Sequence, residues 1–380
     1  MLLLAVAAAS AGQTGILAFL PTLVDLNPVD ASPRVHDLNV ALLTAIHPLA
    51  ALLFAPLWGW LADRMDYRIS LRTALILLAL VTAPIGTVSV PALYLLRIGA
   101  GIAAAAIIPL ALLSASFSAQ ERSERAQRFA WLTAFVFLGD MVGPILAEAG
   151  ARLTPRTPLL MMGLAVSAIA IALCFVRLPD RCVACPVSSL SKGQSQPVAA
   201  MLLLIAMVSG GGLAAMHVDL LVSRADYLLD REEIALMLSL CGLAMLAAQL
   251  FHQRFPWVVT APRLIACTTL ALLAGALLTF SHISSVISTA GVIITAGWSS
   301  ASLRLVTSFW ISGAGLPSGW KLGLQHAAAS IGQALAPLAI AFAEPAGRPS
   351  ILTGIGGISI LMLFALPFVW RRGPQRTVEG

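Results

Sequence analysis

Polar and charged side chains along this chain are confined to short breaks between long apolar runs. Twelve windows of roughly 20 mostly apolar residues lie near 2–24, 37–60, 73–89, 91–117, 129–150, 157–176, 198–222, 232–251, 264–281, 285–310, 323–343 and 350–370. About 20 helical residues cross the hydrocarbon layer of a bilayer. The runs far exceed a barrel strand and show no two-residue alternation, so the pattern predicts an all-α polytopic membrane protein with twelve spanning helices. The longest internal polar break, 177–197, contains Pro, Gly, Ser, Gln and two Cys, a composition that suits a linker. It separates an N-terminal six-helix half, 1–176, from a C-terminal one, 198–380. The first window starts at Met1 with no charged region ahead of it and no small-residue cleavage site, so it is read as helix 1 rather than a removed signal peptide.

Composition strengthens this picture. Hydrophobic residues make up 59% of the chain, charged residues 11%, and the mean hydropathy is +0.92. A soluble globule has no interior large enough for that much apolar surface. The net charge of +6 is not spread evenly. With both termini in the cytoplasm, fifteen basic residues fall on the inside: Arg64, Arg68, Arg72, Arg122, Arg125, Arg128, Arg177, Arg181, Lys192, Arg254, Arg263, Lys321, Arg371, Arg372 and Arg376. Six fall outside (Arg34, Arg152, Arg156, Arg224, Arg231, Arg348), and Arg97 and Arg304 lie within spans. Such a bias orients a membrane protein, and it directs the positive charge to lipid headgroups and cytoplasm rather than to nucleic acid. A bacterial inner (plasma) membrane is the expected location. Cys182 and Cys185 have CxxC spacing, but no second pair or nearby His completes a metal set and no βαβ context suggests a redox motif. No metal or cofactor is expected.

The two halves share a short pattern. Gly139-Asp140-Met141-Val142-Gly143-Pro144 in span 5 and Gly332-Gln333-Ala334-Leu335-Ala336-Pro337 in span 11 lie 193 residues apart. Each runs Gly, polar, then small-Pro in mid-span, as an internal transporter repeat would. The same offset carries Gly59 to His252, beside the loop Phe251–Arg263, which keeps basic residues but not acidic ones.

The charged segment Gly59-Trp60-Leu61-Ala62-Asp63-Arg64-Met65-Asp66-Tyr67-Arg68 resembles the loop between helices 2 and 3 of the major facilitator superfamily, G-x-L-A-D-R-x-G-R-K/R. That family holds secondary transporters built from two six-helix halves. The resemblance implies that Gly59, Asp63, Arg64 and Arg68 form a cytoplasmic gating loop that latches the halves in the outward-open state. Asp63 is expected at the start of helix 3 or against basic groups of a neighbouring helix. Asp66-Tyr67 departs from the family pattern, and the missing Gly puts the tight turn in question. Topology alone would also place Asp and Arg in such a loop.

Two further stretches carry the same resemblance. Leu93, Arg97, Gly101 and Ala105 match L-x-x-x-R-x-x-Q-G-x-G-x-A in span 4, with Ala100 and Ala103 at two of the family's other positions. There the family links the arginine to proton transfer. Arg97 lies about six residues into its span, roughly 9 Å at the helical rise, so it either serves function or snorkels to headgroups. Gly139, Gly143 and Pro144 are similar to the antiporter motif G-x-x-x-G-P-x-x-G, which marks exporters, although Ala147 replaces the final Gly. Asp140, inside that motif and near the bilayer midplane, is the candidate proton-coupling carboxylate with Arg97 as its partner. A structural acid permanently paired with a base is the alternative. His47, and His217 with Asp219 near the outer end of span 7, are further titratable candidates.

A substrate cavity is expected to draw on Gln13, Thr14, His217, Trp298, Ser299, Ser300, Arg304, Gln325, His326 and Gln333, with Arg304 suiting an anionic or chelating substrate. The same polar groups would also serve as helix-packing contacts. Gly323–Ala327 looks like a segment of siderophore-exporting members. Together these features predict a proton antiporter of the drug and siderophore exporter branch, acting as a monomer in the bilayer on a small molecule and protons. A proton-coupled importer or facilitator of a nutrient and a polytopic membrane enzyme stand as alternatives. For the enzyme, the only candidate cluster is Asp63 with Asp66. No GxxxxGKS/T occurs, which argues against ATP-driven transport.

Overall fold

The computed structural model describes residues 2–25, 33–85, 88–117, 119, 121–151, 157–175, 196–222, 229–255, 257–280, 282–283, 285–313, 318–343 and 347–371. Twelve long helices occupy the twelve apolar windows. They are α1 (Leu2–Asp25), α2 (Pro33–Arg64), α3 (Tyr67–Thr82), α4 (Val90–Phe117), α5 (Arg122–Ala151), α6 (Thr157–Cys174), α7 (Gln196–Val222), α8 (Arg231–Arg254), α10 (Pro262–Phe280), α11 (Val286–Ser312), α12 (Gly319–Phe342) and α13 (Arg348–Arg371). The thirteenth, α9 (Trp257–Thr260), is a single turn inside the Phe251–Arg263 loop. Among the described residues, nine helices are long and apolar enough to cross a membrane by length and composition. Of the other three, α3 is only 16 residues long, and α12 carries Gln325, His326, Ser330 and Gln333 on a face that lines a cavity. Most of the expected linker, with Cys182, Cys185, Arg177, Arg181 and Lys192, lies outside the described residues, as do Arg152, Arg156, Arg224, Arg372 and Arg376.

The bundle is apolar on the outside. Ile287, Phe175, Phe364 and Phe368 are among many large side chains left exposed, as helices facing lipid require. The helices pack in two groups, α1–α6 and α7–α13, which meet along α2 with α12 and along α5 with α8. Small residues permit both seams. A Cβ on Gly59 would strike the Gly319 carbonyl, and one on Gly323 would strike the Ala55 carbonyl. On the other seam a Cβ on Gly242 would lie 2.5 Å from Met141 N and 2.7 Å from the Asp140 carbonyl carbon. Ala51, Ala55, Ala105 and Ala327 fill the junction of α2, α4 and α12.

The two Gly-polar-small-Pro segments pack alike. Gly139 and Gly143 abut the Ala7 and Ala11 carbonyls of α1, and Gly332 abuts the Met207 carbonyl of α7, so each segment sits against the first helix of its own group.

Candidate functional site

At one end of the bundle the two groups are tied by polar contacts. The Asp63 carboxylate, in the last turn of α2, accepts from Ser318 Oγ at 2.9 Å, Gly319 N at 2.7 Å and Trp320 N at 3.0 Å. It therefore caps the N-terminus of α12, where unsatisfied N–H groups and the helix dipole favour an anion. These three bonds tie Asp63 to the start of α12, in the other helix group. Asp66 takes the helix-3 role instead: it is the N-cap of α3, accepting from Arg68 N at 3.0 Å and pairing with the Arg68 guanidinium at 2.9 Å. The turn closes without glycine because Asp66 adopts an extended backbone, φ −68° and ψ 112°. Arg64 lies over the Trp60 ring at 4.2 Å. Nearby, Gly313 ends α11 at φ 78°, and its carbonyl accepts from Arg125 of α5. Arg122 stacks over Trp310 at 4.4 Å and Arg125 over Phe309 at 5.3 Å. Deeper in the α5–α8 seam, Thr133 donates to Gln249 at 2.8 Å and Gln249 to the Ala301 carbonyl at 2.9 Å.

Beyond these ties lies a cavity of about 210 Å³ lined by α1, α2, α4, α5, α7, α8, α11 and α12. Asp140, Arg97, Gln13, His217, Arg304, Gln325 and Gln333 all line it, with Thr14, His47, Ser300 and His326. Among the described residues, Asp140 is the one carboxylate of the lining, against two arginines and three histidines. The glycine motif explains its setting. Gly139 brings α1 so close that a Cβ there would lie 2.9 Å from Ser10 Cβ. The Ser10 hydroxyl then donates to Asp140 Oδ1. Gly143 does the same beside Ala11 and Thr14.

Arg304 and Arg97 both line the cavity with Asp140, and Arg304 lies close enough for its charge to favour the ionised carboxylate. Arg97 donates from Nε to the Leu43 carbonyl of α2 at 3.2 Å. Trp298 and Ser299 do not line the cavity. Trp298 stacks on Phe251 at 5.7 Å, and Ser299 donates to the Thr295 carbonyl at 2.7 Å. The 100° step between helix residues turns only Ser300 and Arg304 inward. Asp219, near the end of α7, is buried at 4% exposure. Ser10 was not singled out in the sequence. Its signal is its place one turn before Gln13 and Thr14 on an otherwise apolar helix.

A family model of the Major Facilitator Superfamily matches residues 2–315. The chain belongs to that superfamily. It is thus an integral membrane transporter of small molecules, not an enzyme, and a secondary transporter as that family is. No curated protein matches the chain. Among solved structures it is similar to one titled "Crystal structure of the human organic anion transporter MFSD10 (TETRAN)", with a TM-score of 0.76 and 18% identity, covering 96% of this chain and 97% of that one. At that identity the likeness establishes the facilitator fold alone.

Proposed function

We propose that this transporter exports a small organic anion in exchange for protons, by alternating access, with Asp140 as the proton carrier and the end bearing Asp63 in the cytoplasm. The setting of Asp140 carries the reading. A lone carboxylate in a cavity wall, held by a serine hydroxyl and faced by one arginine, exchanges its proton with whichever side the cavity opens to. The antiporter-like motif that brings Ser10 to it supports export. The positive-inside bias supports the orientation and a bacterial inner membrane, and eight lining helices from one chain support a monomer. Two arginines against one carboxylate favour an anion, with siderophore-like chelators within that class. The similar solved structure is titled an organic anion transporter.

A second reading, proton-coupled uptake, is favoured by Arg304. An anion bound to Arg304 competes with ionised Asp140 for the same charge and binds better when Asp140 is protonated, which couples the two in one direction. Proteoliposomes with an imposed pH gradient and radiolabelled, membrane-impermeant organic anions separate the readings. Exchange accumulates substrate in the compartment protons leave from, and co-transport in the compartment they enter. Asp140→Asn is expected to abolish accumulation either way; a variant that still concentrates substrate removes Asp140 as the coupling site.

A further inference from the structure

The wall formed by α2 and α4 holds a pair of polar groups that the proton-exchange reading does not use. Gly101 lies one turn beyond Arg97 on α4, and a Cβ there would strike the His47 carbonyl of α2, so the two helices touch at this level. One turn in the other direction, Tyr94 Oη donates to Asn39 Oδ1 at 2.8 Å. Clamped between these contacts, Arg97 is only 4% exposed. Its Nε is committed to the Leu43 carbonyl at 3.2 Å. Leu43 and His47 are four residues apart on α2 and so stack on one face. Among the described residues, Arg97 Nη1 and His47 Nε2 have no hydrogen-bond partner, yet both residues line the cavity. Buried polar atoms are rarely left unpaired, because each costs a desolvation penalty that a partner would offset.

We propose that Arg97 and His47 seat the carboxylate of a small organic acid, one oxygen on Arg97 Nη1–H and the other on His47 Nε2–H. This rests on reading the cavity as the transport pathway. Two donors from adjacent helices match the two oxygens of a planar carboxylate. The charge agrees as well: among the described residues, two lining arginines less one ionised aspartate leave a single positive charge, which a monoanion neutralises. Leu17, Ile108 and Leu213 offer apolar wall for the body of the acid. Seating the acid on Arg97 also leaves Arg304 to Asp140, which removes the direct competition that would force uptake.

The test is equilibrium binding to the purified full-length protein in detergent at one fixed pH. The probes are benzoate, phenylacetate and octanoate, each paired with its uncharged amide. At least one acid is expected to bind about ten-fold or more tightly than its amide. Arg97→Gln should erase that preference, Arg97→Lys should retain part of it, and His47→Gln should reduce it. If no acid is preferred over its amide by the wild type, or if the preference outlives Arg97→Gln in a protein that remains monodisperse, the seat is overturned. Should Arg97→Gln fail to fold, an undiminished preference in His47→Gln has the same force. No gradient enters this measurement, so it separates from the transport reading. Acid-selective binding without proton-driven flux sinks the exchange and spares the seat; proton-driven flux indifferent to acid or amide does the reverse.

Discussion

Asp63 and Asp66 lie three residues apart and do different work. Asp63 accepts three hydrogen bonds from the start of α12, across the boundary between helix groups. Asp66 stays local, capping α3 and pairing with Arg68. Asp63→Ala removes charge-assisted bonds and an anion–dipole contact, weakening closure of that end by about 2 kcal/mol, or roughly thirty-fold in its equilibrium. Asp66→Asn should change closure little, since Asn caps a helix about as well as Asp. Thiol-reagent labelling of a cysteine introduced at Leu322, buried in the first turn of α12, reads both outcomes; equal labelling in the two variants would contradict this division of roles. That this segment carries function was visible in the sequence. Which aspartate crosses to the other group was not, because the choice depends on where a helix more than 250 residues away begins.

Among elements, α5 is gripped on two sides by glycine contacts. Gly139 and Gly143 admit α1, and Gly242 of α8 admits the backbone at Asp140 and Met141. Gly242→Ala places a methyl carbon where only 2.5 Å separates it from Met141 N, so the seam must part. A loss of about 1–3 kcal/mol is expected from such overpacking, visible as a lowered unfolding temperature in detergent, together with lost transport. Gly275→Ala is the contrast. A Cβ there meets nothing within 4 Å, and replacing a helix-interior glycine should raise stability by about 0.5–1 kcal/mol. Similar unfolding temperatures for the two variants would refute the packing account. Spacing of Gly139 and Gly143 announced a close approach in the sequence. Nothing there announced Gly242, or that Ser10 would ride in on the partner helix.

At the scale of the whole molecule, the groups α1–α6 and α7–α13 are tied at both ends. Asp63 and Arg125 reach across at one, and Arg348 of α13 pairs with Asp37 of α2 at 3.4 Å at the other. Alternating access requires one set to break while the other holds. Spin labels at exposed Met65 and Phe255, one in each group at the Asp63 end, should report mainly a short distance in the wild type. A longer population should grow with Asp63→Ala, and its absence would argue against these contacts as a latch. Much of this architecture was readable from local pattern. The number of long helices, their order and the clustering of arginines at one end follow from what each segment does alone against lipid and water, where unpaired backbone and charge are costly. The expense of Asp140, Arg97 and Arg304 inside spans was equally evident, since it belongs to each residue by itself. Their partnerships were decided elsewhere. That Arg97 and Arg304 come into one cavity with Asp140, that Ser10 holds it, and that Trp298 turns away while Ser300 turns in all depend on the rotation and register of helices far apart in the chain. Those quantities are set by small-residue contacts between helices, which no single segment contains.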